Sequence, residues 1–218
     1  MPPRAVLFDF DGVIADTENH HIAAWQRTLL ALGWQLPDEV AARSAEVDDR
    51  QFLRDLFAAQ GIEDGDIEGW IRKKQELTIR LLRDAPRLYP GVVELIRALK
   101  GQVLLAVVSG TWRENVEAVL AGSGCAESFE LIVGKEDVTA VKPDPEAYLL
   151  ALRRLRLGAG KAVALEDSPS GMAAAGAAGI ACLAVGHRRE FGPWVGDSAY
   201  FTGLEPVSGL LRHLKLKG

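Results

Sequence analysis

The chain has 218 residues, 48% of them hydrophobic and 25% charged, and its formal net charge is −5. This length suits one α/β domain that carries a smaller inserted one, and the composition is that of a globular protein with a buried core. The acidic balance and the lack of long basic runs argue against nucleic acid as a partner, and no apolar run approaches the roughly 18 residues of a transmembrane helix, which excludes a membrane-spanning segment.

Short, uninterrupted apolar runs recur along the chain and predict buried strands. They cover residues 5–10, 103–108, 131–133, 162–165 and 180–185. Between these runs apolar residues recur at helical spacing and predict the buried faces of helices. One face carries Val92, Leu95, Ile96 and Leu99, another carries Trp112, Val116, Val119 and Leu120, and a third carries Tyr148, Leu149, Leu152 and Leu155. Strands that are apolar on both faces and alternate with helices predict a parallel sheet covered on both sides.

The stretch from about residue 17 to 85 breaks this rhythm, because it shows helical periodicity and no convincing strand. Apolar stripes start at Ile22, at Phe52 and at Trp70, and Pro86 closes the last of them. We therefore predict the α/β class, with a Rossmann-like parallel-sheet core in residues 1–16 and 87–218 and a helical insertion in residues 17–86.

Polar residues lie at or just past the carboxyl ends of the predicted strands. These residues are Asp9, Asp11, Ser109, Glu166 and Asp167. Lys142 lies in a loop before a helix that is predicted to begin with Asp144 as N-cap and Pro145 in its first turn. Because ligands of an open parallel sheet bind outside the carboxyl ends of its strands, we expect these groups to meet in one cleft.

The chemistry of this predicted cleft fits phosphoryl transfer. Up to four carboxylates at one point repel one another unless a hard cation binds there, and oxygen ligands that leave room for water and phosphate favour Mg²⁺. Lys142 and the Ser109 hydroxyl add donors for the oxygens of a transferring phosphoryl group. An aspartate nucleophile would carry that group as an aspartyl phosphate.

Four motifs occur in order along the core. They are Phe8-Asp9-Phe10-Asp11-Gly12-Val13, Val108-Ser109-Gly110-Thr111, Lys142-Pro143-Asp144-Pro145 and Glu166-Asp167-Ser168. This set, spread over about residues 5 to 185, resembles the four sequential motifs of the haloacid dehalogenase superfamily of phosphatases and phosphomutases. The resemblance implies that Asp9 is the nucleophile and that Asp11 is the general acid and base. It also implies that Ser109 and Lys142 hold the phosphoryl oxygens.

The same resemblance implies the metal and substrate contacts. The Mg²⁺ ligands would be Asp9, Asp11 through its backbone carbonyl, Asp167, and Glu166 directly or through water. The substrate contacts would be Ser109, Gly110, Thr111 and Lys142 in the core, with Thr17, His21 and Lys73 in the insertion.

The helical insertion resembles the cap of the β-phosphoglucomutase and phosphoglycolate-phosphatase subgroup, which is inserted after the first motif. Its start, Asp16-Thr17-Glu18 followed by His21 and Trp25, is similar to the start of that cap. Such a cap would close over the cleft and set selectivity. The resemblance therefore implies that the substrate is recognised largely by this insertion.

Each feature also has a plainer interpretation. Asp9 and Asp11 could be a solvated strand-end turn, Lys142 a helix-entry residue, and Glu166-Asp167-Ser168 a helix cap. Adjacent histidines on a helix point about 100° apart and cannot chelate one ion well, so His20 and His21 are expected at the surface. The run Arg72-Lys73-Lys74 is typical of a solvated face, with Lys73 or Lys74 as an alternative substrate cation. The four motifs in order favour the catalytic interpretation in the core.

Three functions follow from these patterns. The leading one is a Mg²⁺-dependent phosphatase for a small phosphorylated metabolite such as a sugar phosphate. The second is a phosphosugar mutase of the β-phosphoglucomutase kind. The sequence disfavours it because Asp49, with Glu46 and Asp48 beside it, stands where that mutase has a cap Arg, and these three carboxylates would repel a second phosphate. Arg50 or Arg43 would have to replace that Arg. The third is a catalytically silent binding domain, and dehalogenation is disfavoured because it needs no Mg²⁺.

The cysteines and the N-terminus bear on location. Cys125 and Cys182 are the two cysteines, and Cys182 lies in an apolar segment, so we expect neither a disulfide nor a cysteine zinc site. The N-terminal Met-Pro-Pro-Arg lacks a signal-peptide layout. These features predict a reducing, cytoplasmic location. The sequence carries no signal for an oligomeric state.

Overall fold

The computed structural model describes residues 2–45, 47, 49–62, 65–187 and 199–217. The chain divides into two compact units. One comprises Met1–Asp16 and Arg87–Gly218 and has α/β structure, whereas the other, Thr17–Pro86, is helical in its described residues.

The α/β unit is built on one sheet. Within the described residues its strands are β1 (Ala5–Phe8), β2 (Leu104–Val108), β3 (Leu131–Val133), β4 (Ala162–Glu166), β5 (Ala181–Val185) and β6 (Tyr200–Phe201). They lie in the order β3-β2-β1-β4-β5-β6, and every pair of neighbours is parallel. The α/β class and the parallel sheet predicted from the sequence are thus confirmed.

Helices occur in both units. In the helical unit they are α1 (Glu18–Leu30), α2 (Asp38–Ala42), α3 (Asp49–Ala59) and α4 (Ile67–Asp84). In the α/β unit they are α5 (Val92–Leu99), α6 (Arg113–Gly122), α7 (Glu146–Leu155), α8 (Pro169–Ala177) and α9 (Val207–Leu214). Single 3₁₀ turns span Arg43–Ala45, Ala126–Ser128, Lys135–Asp137 and Ala159–Lys161.

Strand β1 lies at the centre of the sheet, and its composition explains why. All four of its residues, Ala-Val-Leu-Phe, are fully buried, as expected of a parallel strand that is covered on both faces. Ala5 is in register with Leu104 on one side and with Ala162 on the other. Helices α7 and α8 contribute Tyr148, Leu152 and several alanines to the core on one face of this sheet.

The helical unit has a core of its own. Trp25 and Leu29 of α1 pack with Phe52, Leu53 and Phe57 of α3. The Trp25 and Phe52 ring centroids lie 5.4 Å apart. Aromatic and leucine side chains of two helices thus supply the apolar burial that stabilises this unit.

Two features of the fold differ from the sequence prediction. No strand was predicted after residue 185, yet β6 pairs with β5 there, and α9 follows. A two-residue strand is too short to show an apolar pattern. Trp112 was predicted to share the buried face of α6, but it precedes that helix and is 39% exposed.

Candidate active site

The polar residues predicted at the strand ends lie where neighbouring strands stop. Asp9 follows β1, Ser109 follows β2, and Glu166 is the last residue of β4. Strand β1 lies between β2 and β4, and the Asp9 amide donates a 2.9 Å hydrogen bond to the Leu165 carbonyl. Parallel strands therefore bring these three side chains to one edge of the sheet.

Lys142 joins the ends of these strands. Its Nζ donates to Asp9 Oδ1 at 2.7 Å, to Glu166 Oε1 at 2.6 Å and to the Val108 carbonyl at 3.0 Å. Burial disfavours the ammonium form, but the Asp9 and Glu166 carboxylates outweigh this effect, so the pKa of Lys142 lies above its ordinary value. Lys142 therefore stays charged and is a structural partner of both carboxylates.

Glu166 is the most deeply buried of the carboxylates, with none of its surface exposed. Burial and the neighbouring Asp9 charge raise its pKa to about 7, against the opposing effect of Lys142 and of the Tyr148 hydroxyl. The Tyr148 hydroxyl donates to Glu166 Oε1 at 2.5 Å, and the Tyr148 ring lies 5.2 Å from Lys142 Nζ. Tyr148 was predicted only as an apolar residue of the α7 face. The signal available in the sequence was that a buried Tyr needs a partner for its hydroxyl.

Three carboxylates could hold a metal ion. One oxygen from each of Asp9, Glu166 and Asp167 lies within 4.8 Å of the others. Two of these carboxylates pack against glycines that lack a side chain. A Cβ on Gly12 would lie 1.9 Å from Asp167 Oδ2, and a Cβ on Gly171 would lie 1.9 Å from Glu166 Oε2. Three buried or half-buried carboxylates against one lysine leave excess negative charge, so the donor set fits a hard divalent cation.

The turn after β1 carries Asp11. Gly12 has a φ of +86°, a conformation that favours glycine, and its amide donates to the Ala15 carbonyl at 3.1 Å. Among the described residues, the carboxylate of Asp11 is not part of the three-carboxylate group. The predicted metal contact of Asp11 runs through its backbone carbonyl, so that contact stays a prediction.

The loop after β2 contains Ser109, Gly110 and Thr111. Ser109 is buried, and its Oγ accepts a 3.0 Å hydrogen bond from the Thr111 amide. Because that bond uses a lone pair of the oxygen, the hydroxyl proton can point to another acceptor. Gly110 is exposed, and a Cβ built on it would meet nothing within 4 Å.

The loop that carries Lys142 is held by the start of α7. Glu146 Oε2 accepts hydrogen bonds from the amides of Thr139 (2.9 Å) and Ala140 (2.7 Å) and from the Thr139 hydroxyl (3.0 Å). Asp144 was predicted as the N-cap, but the N-cap is Pro145 and α7 begins at Glu146. The Asp144 carboxylate still accepts a 2.9 Å hydrogen bond from the Glu146 amide, so it stabilises the start of α7 from the residue before the N-cap.

The predicted substrate residues Thr17, His21 and Lys73 belong to the helical unit. Thr17 is buried before α1, and Lys73 is exposed with its Nζ 4.1 Å from the centre of the Trp70 ring. His21 Nδ1 lies 2.9 Å from Lys74 Nζ. Burial, followed by the Lys74 charge, lowers the pKa of His21 to about 3, so this imidazole is neutral.

Three expectations for the helical unit are wrong. His20 is buried rather than exposed, with Nε2 2.9 Å from the Ala85 carbonyl. Lys74 is 2% exposed and donates to Asp49 at 2.9 Å, and Asp49 also accepts from Trp25 Nε1 at 3.1 Å. Asp49 is therefore neutralised rather than repulsive. Glu46 and Asp48, which were predicted to add to its charge, lie outside the described residues.

The sequence matches a family model over most of its length. The model describes the haloacid dehalogenase-like hydrolases, and the match covers residues 6–185. The chain belongs to this family. The matched range includes every residue predicted for the core site.

Several relatives of this hydrolase are known from their sequences or from solved structures. A phosphorylated carbohydrates phosphatase from Thermotoga maritima is 33% identical over 178 residues, which are 81% of this chain and 82% of the relative. The CbbY protein of Rhodobacter sphaeroides, solved in complex with phosphate, is 31% identical with a TM-score of 0.77, and the match covers 95% of this chain and 99% of CbbY. The β-phosphoglucomutase of Bacillus subtilis is 27% identical over 84% of this chain and 83% of the relative.

This haloacid dehalogenase-like hydrolase is an enzyme, and its homologues include phosphatases and a β-phosphoglucomutase. In the described part of the chain, no helix has both the length and the apolar character to cross a membrane. Cys125 and Cys182 are both free thiols.

Proposed function

We propose that this hydrolase is a Mg²⁺-dependent phosphatase that cleaves a phosphorylated sugar through an aspartyl phosphate on Asp9. The observation that carries the proposal is the placement of the Asp9 carboxylate. It lies at the end of the central strand, bonded to Lys142 and within 4.8 Å of carboxylate oxygens of Glu166 and Asp167. A carboxylate so arranged can receive a phosphoryl group whose charge a lysine and a divalent cation offset.

In the first half-reaction, an Asp9 carboxylate oxygen attacks the phosphorus atom of the ester. The bond between phosphorus and the sugar oxygen breaks, and the proton on Asp11 passes to that leaving oxygen. The Ser109 hydroxyl donates a hydrogen bond to a phosphoryl oxygen. Lys142, whose three N–H groups are bonded to Asp9, Glu166 and the Val108 carbonyl, moves its Asp9 bond to another phosphoryl oxygen as the acyl phosphate forms. The products of this step are the free sugar and the Asp9 acyl phosphate.

In the second half-reaction, Asp11 takes a proton from water, whose oxygen attacks the same phosphorus atom. The bond between phosphorus and the Asp9 oxygen breaks, so inorganic phosphate leaves and the Asp9 carboxylate is restored. Asp11 is protonated again and ready to act as an acid. Lys142 remains charged throughout, because both of its carboxylate partners hold its pKa above the ordinary value.

Asp9, Glu166 and Asp167 are the side chains that would hold Mg²⁺, with the Asp11 carbonyl as a further ligand. When bound, the ion neutralises charge on the transferring phosphoryl group and on the carboxylate cluster. Glu166 offers its second oxygen, since Oε1 already accepts from Lys142 and Tyr148.

The relatives support a phosphorylated sugar as the substrate class. The relative from T. maritima is named a phosphatase of phosphorylated carbohydrates, and a mutant of CbbY from R. sphaeroides was solved with xylulose-1,5-bisphosphate. That second match is 30% identical with a TM-score of 0.75 and covers 94% of this chain and 96% of CbbY. We propose the helical unit as the cap that sets selectivity, with Thr17, His21 and Lys73 as contacts, and a cytoplasmic location.

A mutase is the second candidate because of the similarity to the B. subtilis β-phosphoglucomutase. A mutase must hold the phosphate that is not reacting, and this needs an available cation. Near the start of α3, Lys74 pairs with Asp49 at 2.9 Å and Arg50 pairs with Glu68 at 2.6 Å. Arg43 lies 3.6 Å from Asp55. These pairs support a phosphatase over a mutase, because each of these three cations is already paired with a carboxylate of the same unit.

A screen of phosphorylated sugars tests the proposal. Phosphate release should depend on Mg²⁺, stop in excess EDTA, and vanish in Asp9→Asn, because an amide cannot form the acyl phosphate. Supplying β-glucose 1-phosphate with a bisphosphate activator should give free phosphate rather than glucose 6-phosphate. Turnover of Asp9→Asn at the wild-type rate would overturn the covalent mechanism, isomerisation with little phosphate release would identify a mutase, and inactivity on every ester would favour a binding domain.

A further inference from the structure

Tyr148 is fully buried in the first turn of α7, and its hydroxyl bonds to a residue of β4 outside that helix. The hydroxyl donates to Glu166 Oε1 at 2.5 Å. The same oxygen accepts from Lys142 Nζ at 2.6 Å. An oxygen of a carboxylate has two lone pairs, so these two donors satisfy Oε1 completely.

The other side of the Glu166 carboxylate is also defined. Oε2 lies 3.4 Å from the Ser168 hydroxyl, a long hydrogen bond, and Gly171 approaches so closely that a Cβ there would lie 1.9 Å from Oε2. The carboxylate is thus bonded firmly through one oxygen, while the oxygen with the weaker bond is the one that remains for another ligand. Rotation of the carboxylate would break two strong hydrogen bonds.

The Tyr148 ring has a separate contact, since it lies 5.2 Å from Lys142 Nζ. Replacing Tyr by Phe keeps this cation–π contact and removes only the hydroxyl. The hydroxyl is therefore separable from the ring, and its effect on Glu166 can be measured while Lys142 keeps its surroundings.

We propose that Tyr148 is a positioning residue that fixes Glu166 through Oε1 and so directs Oε2 to the divalent cation of the carboxylate cluster. This inference rests on the proposed function, because it needs a cation at Asp9, Glu166 and Asp167. Partners that orient metal ligands in this way typically change metal affinity by about 10- to 100-fold when they are removed. Tyr148 touches neither substrate nor cation in this scheme, so its loss weakens metal binding and spares the chemical step.

The test is calorimetric titration of Mg²⁺ into EDTA-treated, desalted protein, without substrate. Tyr148→Phe should bind Mg²⁺ about 10- to 100-fold more weakly than wild type, and kcat at saturating Mg²⁺ should change by less than about threefold. Tyr200→Phe is the matched control, because Tyr200 lies on β6 and is 42% exposed. It should bind Mg²⁺ as wild type does. Melting temperatures in EDTA verify that each variant is folded at the temperature of the titration.

A double-mutant cycle distinguishes positioning from a general effect on the fold. In a Glu166→Gln background, Tyr148→Phe should change Mg²⁺ affinity by less than about twofold, because the ligand on which Tyr148 acts is gone. The same loss of affinity in both backgrounds, or equal affinities of wild type and Tyr148→Phe, would overturn the positioning role. Absence of Mg²⁺ binding by the wild type would instead overturn the proposed metal-dependent function.

Discussion

Removal of the Lys142 charge provides a quantitative test of the site. Lys142 Nζ lies 2.7 Å from Asp9 Oδ1 and 2.6 Å from Glu166 Oε1, so the two oxygens are at most about 5.3 Å apart. At about 5 Å and an effective dielectric constant of about 20, two unit charges repel by about 3 kcal/mol. In Lys142→Met, this repulsion is no longer offset, and the unfolding free energy in EDTA should fall by about 3 kcal/mol, within the range for breaking a buried ion pair.

Two conditions should reverse part of that loss. Mg²⁺ should restore at least half of it, because the ion replaces the missing positive charge. Lowering the pH should also restore stability in EDTA. The pKa of Glu166 is raised from 4.5 to about 7 in the folded protein, so the folded state binds the proton more tightly than the unfolded state does. This contribution to stability is present at low pH and is lost as the pH rises towards 7. In Lys142→Met the pH range of this loss should lie higher, because Lys142 no longer lowers the pKa of Glu166.

Urea unfolding at pH 6 and 8, with EDTA or Mg²⁺, measures the stability, and phosphate release at saturating Mg²⁺ measures the rate. We expect kcat to fall by about 10²- to 10³-fold, as it does when one preorganised donor is removed. Lys100→Met, which removes an exposed charge at the end of α5, is the control and should leave both unchanged. A rate loss below about threefold, or an equal loss of stability with and without Mg²⁺, would show that Lys142 only holds the loop.

Three further changes test other parts of the structure. Asp11→Asn should slow turnover by about 10²-fold or more and leave inhibition by phosphate intact, which steady-state kinetics can measure. Gly171→Ala should destabilise the protein by about 1–3 kcal/mol in urea unfolding, because the added Cβ would lie 1.9 Å from Glu166 Oε2. The control is Gly176→Ala in the same helix, where the added Cβ would have no neighbour within 4 Å, and this variant should be neutral or stabilising. The pKa of His21 is lowered from 6.5 to about 3, so the folded state binds this proton less readily than the unfolded state and loses stability as the pH falls from 6.5 towards 3. The melting temperature of His21→Gln should therefore fall less than that of the wild type over this pH range.

The parts of the fold that the sequence predicts are those set by local pattern. The apolar run of β1 requires a strand covered on both faces, and the parallel sheet then brings residues at the ends of neighbouring strands together. Asp9, Ser109 and Glu166 meet at one edge for this reason. The helical character of the insertion could be predicted because its apolar residues recur at helical spacing and show no strand pattern.

The parts that the sequence did not reveal depend on partners distant along the chain. Lys74 lies in a basic run that is typical of a solvated surface, yet Asp49, 25 residues away, makes its burial favourable. Tyr148 belongs to an apolar helix face, and its partner Glu166 is known only once β4 is in place. Such pairings arise from tertiary contact, which periodicity along one element does not report.

The central place of β1 also constrains how the chain can fold as it is synthesised. Strand β1 pairs with β2 and β4, whose partner residues for Ala5 are Leu104 and Ala162. The β1 segment therefore leaves the ribosome long before either neighbour exists. It has no strand partner until β2 is made about 100 residues later, and its other edge stays unpaired until β4 follows at Ala162. At about 5–20 residues per second, the wait for β2 lasts about 5–20 s. The helical segment, which is complete within that interval, is the part of the chain that can bury its apolar side chains first, and β1 is the segment that a chaperone would most need to shield.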